Sequence, residues 1–324
     1  MTIEKMMEFL NQPNVHIGDP DHVKHVIEQL IQYGPDKLQV VSDFDFTLSK
    51  YYEKGKPCSG CHRDDKFKMV IRIVADFDRT LTKYIHKGHV CATCHNVLEE
   101  GSLPEFYKEE ARTLRDTYFP IETNPKLSIE EKIPKMIEWW TKSHGLLETC
   151  EISRDSIQHC VSSSTAKLRD GCSWFFDELK KYEVPVLIFS AGIGDIIEEV
   201  IKQQSTMHDN MHIVSNYMKF NEEGKMTGFQ QAIIHIYNKN ENAIHDSDYF
   251  QNIEHRTSMI LMGDSLGDLH MADGAEVDHK LKIGFLNSRV EESLELYKKK
   301  YDIVLVEDET LDIPNNLLRS ILER

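Results

Sequence analysis

The stretch that decides the fold is residues 71–82, which read Ile-Arg-Ile-Val-Ala-Asp-Phe-Asp-Arg-Thr-Leu-Thr. A short apolar run is followed at once by two aspartates, Asp76 and Asp78, and then by a threonine. Short apolar runs bounded by polar turn residues are typical of buried strands. In a parallel α/β sheet, ligands bind beyond the carboxyl ends of the strands. The stretch therefore predicts a buried strand that delivers two carboxylates to a binding site.

The same segment occurs twice in the chain. Residues 43–62 (DFDFTLSKYYEKGKPCSGCH) and residues 76–95 (DFDRTLTKYIHKGHVCATCH) align without a gap and agree at roughly half of their positions. The first copy also follows an apolar run, Leu38–Val41. A solenoid needs about three or more repeats, so this pair is a tandem duplication and not a repeat architecture. Because a sheet has one central position for this strand, we expect one functional copy and one displaced insertion.

The rest of the chain predicts an α/β fold: a doubly wound parallel sheet with a helical cap inserted after the first catalytic strand. We expect an N-terminal helix at Asp21–Tyr33, and a helical region with turns at Asn124-Pro125 and His144-Gly145. We divide the chain into residues 1–95 (N-terminal helix and duplicated strand segment), 96–182 (helical cap) and 183–324 (remainder of the core). The predicted later strands, helices and hairpin are Val184–Phe189, Gly194–Gln203, Met211–Val214, Tyr217–Phe229, Ser258–Met262, Lys282–Leu286, Glu291–Lys299 and Asp302–Val306.

The bulk composition is ordinary for a soluble globular enzyme, and its acidic balance argues against a polyanionic partner. The 324 residues carry a formal net charge of −16, which opposes binding to a nucleic-acid polymer. No apolar run approaches the roughly 20 residues needed to span a membrane, and the N-terminus lacks a signal-peptide core. With seven cysteines, an odd number, we expect reduced thiols in the cytoplasm. We also expect the chain to act as a monomer without a membrane partner.

Paired carboxylates at a strand end can divide the work of phosphate transfer. The first attacks phosphorus, and the second protonates the leaving oxygen and then deprotonates water. An acidic turn is a common alternative, so the later strand ends decide. One ends in Ser190-Ala191-Gly192, whose hydroxyl and amides can hold phosphoryl oxygens, and another in Gly263–Asp268, with two acids suited to Mg²⁺. Lys239 lies between them in sequence and can neutralise a phosphate.

This order of motifs resembles the haloacid dehalogenase superfamily of phosphatases. More closely, the chain resembles the cytosolic 5′-nucleotidase III (pyrimidine 5′-nucleotidase) family. The stretches that carry this resemblance are KLQVVSDFDFTLS, EWWTKSHGLL, VPVLIFSAGIGDIIEEVI, GDSLGDLHMADG and YDIVLVEDE. The resemblance implies a Mg²⁺-dependent phosphatase that forms an aspartyl phosphate and acts on a nucleoside monophosphate. It implies that Asp76 is the nucleophile and Asp78 the acid/base. The implied metal ligands are Asp76, the Asp78 carbonyl and Asp264, with Asp268 supporting them. Ser190, Ala191 and Lys239 would bind the phosphate, and Glu122 and Ser143 would contact the nucleotide, beside Trp139, Trp140 and His144.

Two arguments favour the second copy as the catalytic one. Asp76 lies at about the family's spacing from Ser190, and its segment runs directly through His95-Asn96 into the cap. Asp43 and Asp45 of the first copy follow the N-terminal helix without a break, and Phe46 is closer than Arg79 to the usual residue of the family. We prefer Asp76 and Asp78.

The cysteine pairs leave other interpretations open. Cys58-x-x-Cys61-His62 and Cys91-x-x-Cys94-His95 match the haem-attachment motif, which requires export, and two such pairs can also bind structural zinc. Inert cap-loop thiols are the favoured interpretation. For the whole chain, the alternatives to a nucleotidase that acts on pyrimidine or 7-methylguanosine monophosphates are a phosphatase for another metabolite and a catalytically silent relative.

Overall fold

A computed structural model describes residues 2–32, 52–53, 56–57, 71–101, 103–124, 126–230, 232–239, 258–273 and 277–322. Most of the first copy of the duplicated segment lies outside the described residues. This applies to Asp43, Asp45 and the strand expected at Leu38–Val41, and also to Cys58, Cys61 and His62.

The described part of the chain alternates strands and helices after an entirely helical middle section. The elements are α1 Ile3–Phe9, β1 Val15–Ile17, α2 Pro20–Gln32, β2 Tyr52–Glu53, β3 Lys56–Pro57, β4 Ile71–Ala75, β5 Ile85–His86, β6 His89–Val90, α3 Cys94–Glu100, α4 Glu105–Glu122, α5 Ile129–Glu148, α6 Arg154–Ser163, α7 Cys172–Lys181, β7 Val186–Ile193, α8 Gly194–Gln204, β8 Met211–Asn216, β9 Met218–Phe220, β10 Met226–Phe229, β11 Ser258–Gly263, a 3-10 helix Leu266–Ala272, β12 His279–Leu286, α9 Val290–Lys300, β13 Ile303–Val306 and α10 Asp312–Leu322.

A seven-stranded sheet runs in the order β1-β13-β12-β11-β4-β7-β8. Its strands are parallel except β1, which pairs antiparallel with β13 at the edge. The strand β4 of the second copy lies inside the sheet, between β11 and β7. Its register pairs Ala75 with Met262 on one side and with Ile188 on the other. The residues that follow these three strands therefore meet at one edge of the sheet.

Side chains that alternate along the strands form two apolar cores. Ile73 on β4 and Met262 on β11 face one core, whereas Val74 and Leu261, their chain neighbours, face the other. The first core is closed by α2, α7, α8 and α10, and the second includes Tyr301 at the end of α9. This period of two is what a strand buried on both faces requires.

The predicted α/β class and its parallel sheet are confirmed. All five later strands, both helices between them, the hairpin and the N-terminal helix occur within a few residues of the expected bounds. The turn predicted at His144-Gly145 is wrong, because both residues lie inside α5. Glycine disfavours a helix only by about 1 kcal/mol, and the capping box formed by Ser128 and Glu131 together with the buried face of α5 outweighs that cost. The domain boundaries after residues 95 and 182 stay a prediction.

Among the described residues, no helix combines the length and apolar character that crossing a bilayer requires.

Two glycines give a matched test of this packing. A Cβ at Gly284 on β12 would come within 2.7 Å of the buried Tyr301 ring, whereas one at Gly145 on α5 would meet nothing within 4 Å. We expect Gly284→Ala to lower the free energy of unfolding by about 1–3 kcal/mol through overpacking. Gly145→Ala should raise it by about 0.5–1 kcal/mol, because alanine restricts the unfolded chain. Denaturant melts measure both, and equal effects of the two changes would contradict the packing of β12 against α9.

Candidate active site

Three aspartates meet where β4 and β11 end. Asp76 directly follows β4, and its backbone amide donates to the carbonyl of Met262 on β11 at 3.0 Å, which extends the strand pairing by one residue. Asp264 and Asp268 lie on the loop and 3-10 helix that follow β11. One carboxylate oxygen from each of Asp76, Asp264 and Asp268 lies within 4.8 Å of the other two.

Lys239 joins two of these acids through buried ion pairs. Its ammonium lies 2.5 Å from Oδ1 of Asp76 and 2.9 Å from Oδ1 of Asp268. The side chains of all three residues are nearly excluded from solvent. Buried charges of this kind are tolerated only when they are paired and hydrogen-bonded. The lysine therefore compensates part of the negative charge of the cluster.

The second oxygen of Asp268 organises the loop. It accepts hydrogen bonds from the amides of Asp264 and Ser265 at 3.2 and 2.9 Å, and from the Ser265 hydroxyl at 2.8 Å. Two tyrosines from α9 and its end hold the same loop from outside. The hydroxyl of Tyr297 donates to the Asp264 carbonyl at 2.8 Å, and that of Tyr301 donates to the Ser265 carbonyl at 2.5 Å.

Burial shifts the titration of the cluster. It raises the pKa of Asp76 to about 7, against the opposing charge of Lys239. It also raises the pKa of Asp264 well above the usual range, and the neighbouring carboxylates of Asp268 and Asp76 add to that increase. The pKa of Lys239 is raised despite its burial, because Asp268 and Asp76 stabilise the ammonium. The site thus concentrates negative charge beyond what its lysine neutralises.

Asp78 and Thr80 complete the Asp-x-Asp-x-Thr motif at the end of β4. The Thr80 hydroxyl donates to Oδ2 of Asp76 at 3.3 Å, so both oxygens of Asp76 have a donor. The Asp78 carboxylate accepts from the backbone amide of Cys94, at the start of α3, at 2.9 Å. Burial raises the pKa of Asp78, although the bond from Cys94 opposes the shift. A carboxyl group with a raised pKa is suited to donate a proton.

A fully buried arginine fixes the turn that follows Asp78. The guanidinium of Arg169 donates to the carbonyls of Arg79 and Thr80 at 2.6 and 2.7 Å, and to the side chain of Asn287 at 2.9 Å. The Asn287 amide donates to the same Arg79 carbonyl at 3.1 Å. Arg79 itself adopts a left-handed conformation with φ of 63°. A non-glycine residue with positive φ is uncommon, so these bonds hold a turn that costs energy.

The predicted phosphate loop, Ser190-Ala191-Gly192, lies in the last part of β7, beside the acids. The Ser190 hydroxyl is buried and accepts from the Gly192 amide at 3.0 Å, which leaves its hydrogen available for a ligand oxygen. The amide of the Asn216 side chain donates to the carbonyls of Ala191 and Gly192 at 2.9 and 3.2 Å.

Asn216 also connects this loop to the segment that carries Lys239. Its side chain donates to the Ile234 carbonyl and accepts from the Ile234 amide, both at 2.9 Å. One buried side chain thus sets the phosphate loop and the lysine segment relative to each other. Sequence reasoning missed Asn216 and Arg169, because an isolated asparagine or arginine has no local pattern that distinguishes it from a surface residue.

The helical region contacts the phosphate loop through Trp140 of α5. Its indole nitrogen donates to the Ala191 carbonyl at 3.2 Å, and its ring meets the His95 ring edge-on at a centroid distance of 5.6 Å. Trp139 instead stacks on Tyr118 at 5.9 Å. Burial lowers the pKa of His95 to about 4, so its imidazole is neutral at pH 7. Ser143 is partly buried three residues beyond Trp140, on the same side of the helix.

Glu122 ends α4 and lies close to the lysine segment. The Tyr237 hydroxyl donates to the Glu122 carbonyl at 3.1 Å. Burial raises the pKa of the Glu122 carboxyl to about 7, against the opposing charges of Lys132 and Arg79. His144 does not join this group, because it is buried and stacked on Phe229 at 3.6 Å. The helical region therefore places Glu122, Trp140 and His95 around the phosphate loop and acids.

The acidic cluster fits a divalent cation of the Mg²⁺ type. The closest side chains are carboxylates, which are hard oxygen ligands, and Asp76 and Asp264 are the residues that would hold the ion. The electrostatics agree, since burial and the neighbouring carboxylates raise the pKa of Asp264, and a bound cation would favour its charged form. Asp268 supports the loop and the lysine more than the ion, because both of its oxygens already accept hydrogen bonds.

The fold is an α/β fold whose parallel sheet brings paired aspartates, a lysine and a buried serine together at one edge, as the sequence predicted. Residues 79–322 match the pattern of the family described as pyrimidine 5′-nucleotidase (UMPH-1). The chain belongs to this family.

Similar proteins of known name agree with this assignment. The 7-methylguanosine phosphate-specific 5′-nucleotidase of Homo sapiens is 48% identical over 315 residues, which cover 97% of this chain and 94% of that protein. The corresponding nucleotidase A of Xenopus laevis is 41% identical over 313 residues, with 96% and 97% covered. The crystal structure of cytosolic 5′-nucleotidase IIIB bound to cytidine superposes with a TM-score of 0.82 at 33% identity, with 99% and 97% covered. These matches confirm the expectation of a 5′-nucleotidase.

The cluster predicts that a divalent cation stabilises the fold. A ligand at about 100 times its Kd raises the free energy of unfolding by about 2.7 kcal/mol, so Mg²⁺ should raise the melting temperature. Asp264→Asn should lose this shift, because it removes one of the charged ligands. Asp116→Asn, on an exposed position of α4, is the matched control and should keep it. Thermal melts with and without Mg²⁺ measure the effect. An undiminished shift in Asp264→Asn would place the cation elsewhere.

Proposed function

We propose that the protein is a Mg²⁺-dependent 5′-nucleotidase that hydrolyses pyrimidine nucleoside 5′-monophosphates and 7-methylguanosine 5′-monophosphate. The observation that carries this proposal is the hydrogen bond from Trp140 to the Ala191 carbonyl. It brings an aromatic side chain of the helical region directly to the phosphate loop. A phosphate bound at Ser190 would then have a flat, apolar surface beside it, which suits the base of the same small molecule.

In the first chemical step, Asp76 is the nucleophile. Its carboxylate attacks phosphorus, a P–O bond to Asp76 forms, and the bond to the 5′-oxygen of the nucleoside breaks. Lys239 and the Thr80 hydroxyl hold the two oxygens of Asp76 and so orient it. Asp76, Asp264 and the Asp78 carbonyl would hold the metal ion, which would supply charge neutralisation for the phosphoryl group.

Asp78 acts in both halves of the reaction. Its carboxyl group donates a proton to the departing 5′-oxygen, which leaves as the nucleoside. In the second half, Asp78 takes a proton from a water molecule as the water attacks phosphorus, which releases inorganic phosphate and regenerates Asp76. Ser190 and Lys239 hold the phosphoryl oxygens throughout, and the Ala191 backbone would support them. The raised pKa of Asp78 favours the protonated form that the first half requires.

Glu122, Trp140, His95 and Ser143 form the proposed base pocket. A carboxylate can accept from the N4 amine of cytosine, as Glu does in nucleic-acid recognition. Aromatic stacking contributes about 1–3 kcal/mol per base. Because His95 is neutral and Glu122 can be negative, the pocket also tolerates the positive charge of 7-methylguanine. The human and Xenopus relatives are 7-methylguanosine phosphate-specific, and the solved relative is bound to cytidine, so these proteins support both base classes.

The same proposal covers the setting of the enzyme. We propose that it acts in the cytoplasm as a monomer on a free nucleotide, without a nucleic-acid polymer or a membrane as partner. The cysteines of the described residues support a reduced environment, since Cys91, Cys94, Cys150, Cys160 and Cys172 are all buried and free. Cys58 and Cys61, which form the first of the two cysteine pairs, lie outside the described residues.

The experiment is phosphate release from CMP, UMP, 7-methylguanosine monophosphate, AMP and phosphoserine in Mg²⁺. We expect turnover of the first three with the highest kcat/KM. Preferential cleavage of phosphoserine would favour the alternative metabolite phosphatase, and no release from any of them would indicate a silent relative.

The same assay tests the base pocket through pH. An ionised Glu122 accepts from the N4 amine of cytosine, whereas a protonated one can donate to O4 of uracil. With a pKa of about 7, Glu122 is mostly protonated below pH 7 and mostly ionised above it. The ratio of kcat/KM for CMP to that for UMP should therefore rise as the pH increases from 6 to 8. Effects of pH on the catalytic groups cancel in this ratio.

Glu122→Gln should make the ratio independent of pH, because an amide does not titrate in this range. Glu109→Gln, on an exposed position of the same helix, should behave like the wild type. A wild-type ratio that stays constant with pH, or a pH dependence that survives in Glu122→Gln, would show that another group reads the base.

A further inference from the structure

Arg79 is a cation of the active site that the proposed mechanism does not use. It directly follows Asp78 in the motif, where the first copy of the segment has Phe46. Its backbone is fixed on both sides: its amide donates to the Thr82 hydroxyl at 2.8 Å, and its carbonyl accepts from Arg169 and Asn287. The side chain therefore begins from a rigid turn at the carboxyl end of β4.

The guanidinium has unused hydrogen-bonding capacity. Its Nε is buried and has no hydrogen-bond partner among the described residues. Its contact with the protein is a cation–π interaction, with Cζ lying 5.2 Å from the centre of the Tyr84 ring. A buried, unpaired donor costs about 1–3 kcal/mol, so a site that retains one is suited to a ligand that accepts from it.

Arg79 lies between Asp78 and Thr80 in the turn that follows β4, and the Thr80 hydroxyl donates to Asp76, so Arg79 is one residue away from two groups of the acidic site. Burial raises the pKa of the carboxyl groups of Asp78, Asp264 and Glu122, and the charge of Arg79 opposes that increase at all three. Asp264 belongs to the acidic cluster and Glu122 to the proposed base pocket. Because its charge acts on both the acidic cluster and the proposed base pocket, Arg79 lies near the phosphate of a nucleotide that spans these two sites.

The charge balance of the site favours a second cation at the position of Arg79. With Asp78 in the protonated form that the first half requires, the carboxylates of Asp76, Asp264 and Asp268 carry three negative charges, which Lys239 and a divalent cation balance before substrate binds. A phosphate monoester adds further negative charge. A second protein cation is therefore needed to bring the site to neutrality, and Arg79 has the fork of donors that matches phosphoryl oxygens.

We propose that Arg79 is a second phosphate-binding cation of this active site, which acts together with Lys239 on the phosphoryl oxygens of the substrate. The inference rests on the proposed phosphatase chemistry but not on the identity of the base. It predicts that Arg79 contributes to the affinity for any phosphate monoester and for the product, inorganic phosphate.

The test compares Arg79→Met, which keeps the length and loses the charge, with Arg79→Lys, which keeps the charge and loses the fork. Calorimetry in Mg²⁺ gives the Kd of inorganic phosphate, and p-nitrophenyl phosphate gives KM and kcat. Competition by cytidine, which lacks a phosphate, reports on the base pocket alone. Arg112→Met removes a charge from an exposed position of α4 and controls for the change in net charge.

In Arg79→Met we expect the Kd of phosphate and the KM to rise about tenfold or more, as for loss of a charge-assisted hydrogen bond. Arg79→Lys should lie between this variant and the wild type, and cytidine inhibition should stay within about twofold of its wild-type strength. Unchanged phosphate affinity in both variants would overturn the proposal and leave Arg79 as a structural partner of Tyr84. Weaker cytidine inhibition with unchanged phosphate affinity would also overturn it.

Two further measurements distinguish failure of this proposal from failure of a variant to fold and from failure of the proposed function. If Arg79→Met does not fold, Arg79→Lys still tests the proposal, because a shorter fork-less cation should weaken phosphate binding measurably. If the wild type binds phosphate and cleaves p-nitrophenyl phosphate but no nucleotide, the proposed function fails while the role of Arg79 is still decided by the phosphate Kd.

Discussion

The interaction on which the site depends is the buried contact of Lys239 with Asp76 and Asp268. Carboxylates at the ends of neighbouring strands repel each other, and their burial adds a desolvation cost. The lysine offsets part of both and thereby permits Asp76 to lie within 4.8 Å of two other acids. The lysine does not neutralise all of the negative charge, and the remainder can bind a divalent cation. The contacts of Lys239 thus fix the position of the proposed nucleophile, and the remaining negative charge favours binding of a metal ion.

The sheet and a few buried polar side chains bring the remaining parts to this pair. Parallel pairing of β4 with β11 and β7 places the acids and the phosphate loop at one edge. Asn216 binds the phosphate loop to the lysine segment, and Tyr237 binds that segment to Glu122 of the helical region. These contacts form a continuous path from the proposed base pocket to the nucleophile. A buried polar network of this kind is rigid only while each of its members keeps its partner.

Much of this arrangement could be predicted from the sequence, because short apolar runs followed by Asp, Ser or Gly are local signals. They located β4, β7 and β11 and the residues that follow them. Asn216 and Arg169 were missed because their partners are 18 to 118 residues away in the chain. The error at His144-Gly145 came from a local turn signal that the packing of α5 outweighs. The second copy supplies an interior strand of the sheet, between β11 and β7, whereas Asp43 and Asp45 lie outside the described residues. The catalytic role of Asp76 therefore stays a proposal.

The most direct test of that role is to trap the covalent intermediate. Rapid mixing with substrate, acid quenching and borohydride reduction convert an aspartyl phosphate to homoserine. Trypsin separates the two copies, because cleavage after Arg72 and Arg79 releases residues 73–79 and cleavage after Lys37 and Lys50 releases residues 38–50. We expect mass spectrometry to find homoserine at Asp76, in the peptide of residues 73–79. Homoserine at Asp43, or at Asp78, would contradict the assignment of the nucleophile.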